Sequence, residues 1–365
     1  MLYSGDPAAA NTPDAITVNY GDPITAEYRT VSSSDALSRT VQVFKGGDGT
    51  VQPFTKRFAD TEMAVQTHFT VAEAYFEMAK NHRKMGQEDL ARREIGQGKK
   101  LLEEALRDFP DTEARAHAEY LLANLALEFS EQVKDEEQKS KYQMEAVSRF
   151  MEIVATFPDS PYAPKSQFKK ALTYEKMGRI DDACEEYVKL SYRYPDNELV
   201  AETIARLGQY FLTKGKGFKA RIDAETDLVE QERIRLQSVE MYTTAAEVFG
   251  RLAVRFPDHK LAGKTTVLSG QCYMRAEDFD RAIDAFNVVV EAKKAQPVLI
   301  AEAMYWCADS HTKRDEEWED GNDMVEAYRV FKKLTWDYPE TTWAKYARGR
   351  LSEEQMAGLD AEDNN

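Results

Sequence analysis

Residues 160–195 read SPYAPKSQFKKALTYEKMGRIDDACEEYVKLSYRYP, and this stretch decides the fold. It holds two segments of helical periodicity, whose small residues Ala171 and Ala183 stand twelve positions apart. Tyr187 follows Ala183 by four positions, so both side chains lie on one helix face, where the small one lets a neighbouring helix approach. Pro195 ends the second segment, because proline lacks an amide donor and disfavours helical geometry before it. The stretch predicts two antiparallel helices.

The end of this unit recurs along the chain. An aromatic residue, a proline and an acidic residue follow one another five times, at Pro110, Pro158, Pro195, Pro257 and Pro339. Each proline is preceded by a small residue twelve positions earlier and by a bulky one eight positions earlier. The small residues are Gly98, Ala146, Ala183, Ala245 and Ala327, and the bulky ones are Leu102, Phe150, Tyr187, Phe249 and Phe331. A sixth unit has Ala282 and Phe286 at the same spacing, with its proline, Pro297, displaced by three.

This period resembles the tetratricopeptide repeat (TPR), which has two antiparallel helices in about 34 residues. The aromatic-proline-aspartate ending is similar to that of bacterial envelope members, relatives of the outer-membrane assembly lipoprotein BamD and the Tol-associated protein CpoB. The resemblance covers roughly residues 61–357. It implies an all-α fold, a right-handed α-solenoid of about six TPR-like hairpins plus a capping helix, and a protein that binds other proteins.

Composition divides the chain into three zones. Residues 1–60 are rich in Gly, Pro, Ser, Thr and Asp, and their short alternating stretches predict an N-terminal arm, either extended or a small β-hairpin. Residues 61–357 carry the helical period, and their last segment, Thr341 to Met356, predicts a helix that caps the stack. Residues 358–365 are acidic and polar, which predicts a disordered tail.

Four units are longer than the repeat requires. The largest insert, residues 216–238, is highly charged but keeps apolar residues at helical spacing, so we expect it to continue as helix. Inserts in helical repeats cluster at one end of the hairpins and often form a binding surface. Longer helices without a separate role are the other interpretation, and the sequence leaves both open.

The charge balance limits the partners. Asp and Glu number 64 against 48 Lys and Arg, a net charge of −16, which should repel nucleic acids and anionic membranes. The longest basic run is short, around Lys214, Lys216 and Lys219. No apolar run approaches the roughly 20 residues that span a bilayer, and residues 1–26 do not resemble a secretory signal. We expect protein partners or self-assembly, in a periplasm or cell envelope or else in the cytoplasm, with neither nucleic-acid binding nor membrane insertion.

Motifs of catalysis and metal binding were sought in the sequence. It has no glycine-rich phosphate loop, no His-Glu-x-x-His pair and no Gly-x-Ser-x-Gly elbow. Trp318 breaks the calcium-loop pattern near Gly321. Cys184, Cys272 and Cys307 are far apart, and we expect them to be small buried residues on helices. The sequence predicts no catalytic, metal or cofactor site, and a protein that is not an enzyme.

Candidate partner-binding residues lie in the first helix of each hairpin. The small residues of these first helices are Ala79, Ala123, Ala171, Gly208, Gly270 and Ala308. In four of the helices an aromatic residue stands three positions before the small one: Phe76, Tyr120, Phe168 and Tyr305. They either line a concave groove or pack between hairpins. Lys165 and Lys169 are further groove candidates, although Leu172 replaces the asparagine of a chaperone-type carboxylate clamp.

Three functions follow from this interpretation. The first is a scaffold, in a bacterial cell envelope, that binds a partner segment in the groove. The second is a structural subunit that assembles through the N-terminal arm, and the third is an accessory domain of a larger protein.

Overall fold

A computed structural model describes residues 15–20, 27–32, 62–108, 113–222, 224–292, 295–318 and 322–352. Within these residues two short strands are followed by thirteen α-helices. The predicted tail, residues 358–365, and most of the predicted arm, residues 1–60, lie outside the described residues.

The strands β1 (Ala15–Tyr20) and β2 (Glu27–Ser32) pair antiparallel, with Ala15 opposite Ser32. The helices, in chain order, are α1 (Glu62–Lys84), α2 (Glu88–Asp108), α3 (Glu113–Gln132), α4 (Glu136–Thr156), α5 (Tyr162–Lys176), α6 (Ile180–Arg193), α7 (Leu199–Ile222), α8 (Leu228–Arg255), α9 (Ala262–Arg275), α10 (Phe279–Val290), α11 (Pro297–Trp318), α12 (Asn322–Asp337) and α13 (Thr342–Leu351).

The chain divides into two compact units, Met1–Ser166 and Gln167–Asn365. In the first unit, α1 packs on α2 and α3 packs on α4. In the second, the pairs α7 and α8, α9 and α10, and α11 and α12 pack in the same way, and α13 covers α11 and α12. With α5 and α6, the described residues form six hairpins and a terminal helix. The predicted all-α helical-repeat fold is confirmed.

The aromatic-proline-acidic motif forms the same turn between successive hairpins. Phe157, Tyr194 and Phe256 cap the C-termini of α4, α6 and α8, each donating its amide to a carbonyl four residues earlier. Each aromatic carbonyl then accepts the amide of the third residue after it, as in Ser160 to Phe157 at 3.1 Å. Tyr338 repeats both bonds after α12. Proline takes the second place of this turn, where its fixed φ fits.

Three of the hairpins have a left-handed residue in the turn between their two helices. Gly86, Gly178 and Glu277 each follow the small residue of the first helix by seven positions, and their φ angles are 74°, 74° and 63°. After Gly178, the amide of Arg179 donates to the carbonyl of Tyr174, five residues back, at 2.9 Å. This is the bonding pattern of a Schellman motif, in which glycine avoids the steric cost of a side chain.

We expect Gly178→Ala to lower the free energy of unfolding by about 1–2 kcal/mol, because a side chain opposes a positive φ. Space is not the obstacle, since a methyl group at Gly178 would meet no atom within 4 Å. Gly217→Ala is the matched control: Gly217 also has free space but lies inside α7, so alanine there should stabilise by about 0.5–1 kcal/mol. Urea denaturation measures both, and equal effects would contradict the left-handed turn.

The small residues of the first helices leave room for large rings of the second helices to pack against them. A methyl group on Gly208 would lie 2.5 Å from the Phe249 ring, and one on Gly270 would lie 2.6 Å from the Phe286 ring. Phe249 and Phe286 are the bulky residues of the repeat, and both are fully buried. The spacing of small and bulky residues therefore sets how closely the two helices of a hairpin approach.

The inserts lengthen helices. Helices α5 and α6, which have no insert, have 15 and 14 residues, whereas α7 and α8 have 24 and 28. The insert 216–238 continues α7 to Ile222 and begins α8 at Leu228, as the sequence predicted. Asp227 caps α8 by accepting the amides of Val229 and Glu230.

The cysteines lie on helices, as predicted, and are free thiols. Cys272 and Cys307 are buried, and burial raises the pKa of each thiol to about 12. Cys184 differs from the prediction because it is half-buried, and burial raises its pKa to about 11. Such thiols carry little thiolate at neutral pH and react slowly.

Candidate functional site

Each compact unit contains a cavity between its first helices. The N-terminal cavity has a volume of about 460 Å³ and is lined by α1 and α3. Its lining residues are Glu73, Phe76, Glu77, Lys80, Leu121, Asn124, Leu125 and Glu128. Three of these side chains are carboxylates, and the Lys80 ammonium pairs with Glu77 at 2.5 Å.

The C-terminal cavity is larger, about 760 Å³, and is formed by α7, α9, α11 and the turn that joins α9 to α10. Its lining residues are Lys219, Gln271, Met274, Arg275, Glu277, Phe279, Trp306, Asp309, Lys313 and Glu316. It combines apolar side chains with both signs of charge.

The two cavities are lined from equivalent positions of the repeat. Counted from the small residue of the first helix, the lining side chains recur two positions before it, one after it and five after it. The position two before the small residue holds Glu77, Leu121 and Trp306. The position one after it holds Lys80, Asn124, Gln271 and Asp309, and the position five after it holds Glu128, Arg275 and Lys313. Spacings of three and four residues put these positions on one helix face. The repeat therefore presents the same face of its first helices to each cavity.

The aromatic residues predicted for a groove pack on the second helix of their own hairpin, and Tyr120 and Tyr305 also contact rings of the next element, Tyr162 at 5.4 Å and Trp343 at 5.3 Å. Ring centroids lie 5.9 Å apart for Tyr120 and Phe150, and 5.6 Å apart for Tyr305 and Phe331. Phe76 packs over Gly98 of the second helix and also lines the N-terminal cavity. Of the four aromatic candidates, Phe76 is the one that lines either of these two cavities.

Phe168 makes the same contact as its equivalents, with its ring centroid 5.8 Å from that of Tyr187. It is 7% exposed and belongs to the core of the second unit, which favours the packing interpretation that the sequence left open. Lys165 is exposed and lies over the Tyr162 ring, and Lys169 is half-buried. Neither lysine lines either cavity. Binding by these residues remains a prediction.

Positive charge is left unpaired in the C-terminal cavity. Lys219, Arg275 and Lys313 are exposed, and none has an ion-pair partner among the residues that the structure describes. The Arg275 guanidinium donates to the carbonyl of Gln271 at 3.0 Å. Each cation comes from a different first helix, α7, α9 or α11.

Two carboxylates of the same cavity are already engaged. Glu277 pairs with Arg235 at 3.1 Å, and Asp309 pairs with Arg350 at 3.4 Å. Glu316 is the remaining carboxylate of the lining. Three unpaired cations therefore face one unpaired carboxylate, within a chain whose net charge is −16.

Trp306 adds an unused donor to the wall of this cavity. Its indole Nε1 is buried and has no hydrogen-bond partner in the described part of the chain. A buried donor without an acceptor costs free energy, so a ligand oxygen that reached it would be favoured.

The sequence did not single out Arg275, Lys313 or Trp306. Lys219 belongs to the basic run that the sequence showed, but the run alone predicted no site. The missed signal was the repetition of charged residues five positions after the small residue in α9 and α11. It becomes meaningful only when the face of the first helix that lines the cavity is known.

None of the described helices is both long and apolar enough to cross a membrane. The described side chains also include no group of three or more His, Cys, Asp or Glu that could hold a metal ion.

The helical hairpins, their repeated turn and the packing of large rings on small residues are those of a tetratricopeptide-like helical-repeat fold. Residues 88–192, from the start of α2 to near the end of α6, match the family YfiO, described as an outer membrane lipoprotein. The resemblance to BamD-type TPR proteins predicted from the sequence is thereby confirmed. No curated protein matches the sequence.

Solved structures of low identity also resemble the chain. PilF of Pseudomonas aeruginosa is 12% identical to this chain, and the superposition has a TM-score of 0.33. The match covers 76% of this chain and 97% of PilF. A TPR protein from Thermus thermophilus is 15% identical, with coverages of 66% and 99% and a TM-score of 0.28. PilW, a type IV pilus biogenesis factor, is 12% identical, with coverages of 65% and 97% and a TM-score of 0.29.

Proposed function

We propose that the chain is a non-enzymatic scaffold of a bacterial cell envelope that binds segments of partner proteins in the cavities between its first helices. The observation that carries the proposal is the shared register of the two cavities, lined from the same positions of the repeat. A repeated face suits an extended or helical segment, because each hairpin offers it an equivalent contact.

The match to an outer membrane lipoprotein family supports the envelope setting of the proposal. The cavities support its binding part, since each combines apolar side chains with charged and polar groups that a partner segment can contact. Met274, Phe279 and Trp306 supply the apolar wall of the larger cavity. Phe76 has the same role in the smaller one.

The sequence candidates take different places in this proposal. Phe76 contacts the partner directly, whereas Tyr120, Phe168 and Tyr305 hold the first helices in place by packing on the second. Lys165 and Lys169 remain proposed contacts for a partner that extends beyond the cavities.

Site-specific photo-crosslinking in cells tests the proposal. A benzoylphenylalanine at Met274, in the C-terminal cavity, should give a discrete adduct with a partner protein after irradiation. The matched control is the same residue at Val254, which is exposed on the second helix α8. Adducts of equal yield from both positions, or adducts from Val254 alone, would contradict binding in the cavity.

Self-assembly through the N-terminal arm is a second candidate, favoured by the pairing of β1 with β2. A two-stranded sheet is marginal in water and offers strand edges to a second chain. Removing residues 1–58 should then convert an oligomer to a monomer in light scattering. An unchanged mass would eliminate this candidate.

A further inference from the structure

We infer that the C-terminal cavity takes an acidic, extended segment of a partner protein, with carboxylates at about every third residue. The inference rests on the proposed function and specifies the partner for one of its two sites. It starts from Lys219, Arg275 and Lys313, the three unpaired cations of that cavity.

Charge complementarity selects an acidic ligand. Two of the three carboxylates that line the cavity are engaged by Arg235 and Arg350, so the positive side chains are not neutralised locally. Opposite charges on the two partners speed association and exclude wrong partners. In a chain of net charge −16, this cavity is a local exception that a general acidic surface does not explain.

The placement of the cations sets the spacing in the ligand. They stand on α7, α9 and α11, the first helices of three successive hairpins. Packed helices lie about 8–10 Å apart, and a polyproline II segment advances about 3.1 Å per residue and returns to the same face every third residue. Helices α9 and α11 contact each other, so a polyproline II segment that crosses from one to the other presents carboxylates three residues apart to Arg275 and Lys313.

The apolar wall adds a second requirement. Met274, Phe279 and Trp306 line the same cavity, so residues between the carboxylates should be aliphatic or aromatic.

The N-terminal cavity shows that these features are not shared by every hairpin. Its lining carries Glu73, Glu77 and Glu128, and its one cation, Lys80, is paired with Glu77. An acidic segment should be repelled there. The inference therefore applies to one cavity and predicts that the two sites take different ligands.

The test uses the full chain and a short fluorescein-labelled peptide of Val and Pro with Glu at every third position. Anisotropy should show saturable binding that weakens as salt rises, because the contacts are between exposed charges. The same peptide with Gln in place of Glu should bind at least about thirtyfold more weakly.

Charge reversal locates the binding. The triple variant K219E, R275E and K313E should lose about thirtyfold in affinity for the Glu peptide. The control triple variant R251E, K260E and K333E reverses three other exposed cations, which have no ion-pair partner among the described residues, and should change affinity less than about threefold. The exposed single variants Arg275→Gln and Lys313→Gln keep the test decisive if a triple variant fails to fold.

Three results would overturn the inference: equal losses in both triple variants, equal binding of the Gln peptide, or no binding. A rival occupant is the chain's own segment 353–365, which carries five carboxylates. If replacing them with amides raised affinity tenfold or more, that segment and not a partner would be the ligand. A persistent crosslink from Met274 alongside a failed peptide assay would reject the acidic ligand and leave the proposed scaffold intact.

Discussion

Phe331→Ala should lower the free energy of unfolding of the C-terminal unit by about 3–5 kcal/mol, the largest effect of any single core replacement proposed for this chain. Phe331 is 0% exposed and packs on Ala301, Ala327 and Leu334. It also contacts the Tyr305 ring across the hairpin. Removing the ring leaves a cavity between two helices that small residues have drawn close, so the site cannot collapse easily.

The matched control is Trp336→Ala in the same helix. Trp336 is 86% exposed, so its loss should change the unfolding free energy by about 0.5 kcal/mol or less. Urea denaturation followed by circular dichroism compares the two variants. A Trp336 variant as unstable as the Phe331 variant would show that α12 faces the core differently.

Arg314→Met should destabilise the chain by about 2–3 kcal/mol at pH 7, because it leaves a buried carboxylate without its main partner. Arg314 donates from Nε to one oxygen of Asp323 at 2.7 Å and from Nη2 to the other at 2.5 Å. His311 lies 2.7 Å from the same carboxylate, and Arg314 also reaches Asp280.

The effect should shrink in acid. Hydrogen bonding to Arg314 holds the pKa of the Asp323 carboxyl below its ordinary value, against the opposing effect of burial. The stability that this pair contributes is therefore complete above the unfolded pKa of about 3.9 and is lost as the pH falls through the lower folded value. The difference in unfolding free energy between wild type and variant should persist from pH 7 to about pH 4 and shrink at lower pH.

Arg329→Met provides the comparison for this pair. Arg329 is exposed on α12 and pairs with Glu326 at 3.3 Å, so its loss should cost about 0.5 kcal/mol or less at any of these pH values. Equal, pH-independent losses in both variants would contradict the buried role of Asp323.

Much of the fold could be predicted from local chemistry. Proline after an aromatic residue ends a helix and occupies the second place of a turn, so the motif alone located the ends of α4, α6, α8 and α12. The distance from Ala327 to Phe331 placed both side chains on the buried face of α12. These features depend on neighbours in sequence.

The cavity lining could not be predicted in the same way. Tyr305 and Trp306 are adjacent in sequence, yet Tyr305 packs on the second helix while Trp306 lines the cavity. Successive residues of a helix are about 100° apart, so a small rotation of the helix decides which one faces a cavity. That rotation is set by packing with other helices, which a repeat period does not encode.

The left-handed backbone of Glu277 was also not predicted from the sequence. It takes the left-handed place that glycine holds in two other hairpins, with φ of 63°. A non-glycine residue there costs free energy that the surrounding turn must offset. The glycines at positions 86 and 178 gave the pattern, but no local signal showed that a glutamate would adopt it.

The register of first and second helices is the claim on which the rest depends, and a double-mutant cycle at Gly270 and Phe286 tests it directly. A methyl group at Gly270 would lie 2.6 Å from ring atoms Cε1 and Cζ of Phe286 and 2.9 Å from Cδ1. Leucine lacks Cε1 and Cζ, and its methyl groups can rotate away by a change of rotamer. Gly270→Ala should therefore destabilise wild type but be tolerated beside Phe286→Leu, with a coupling of about 1–2 kcal/mol. Additive effects within about 0.5 kcal/mol would mean that these residues do not meet, and would contradict the hairpin register.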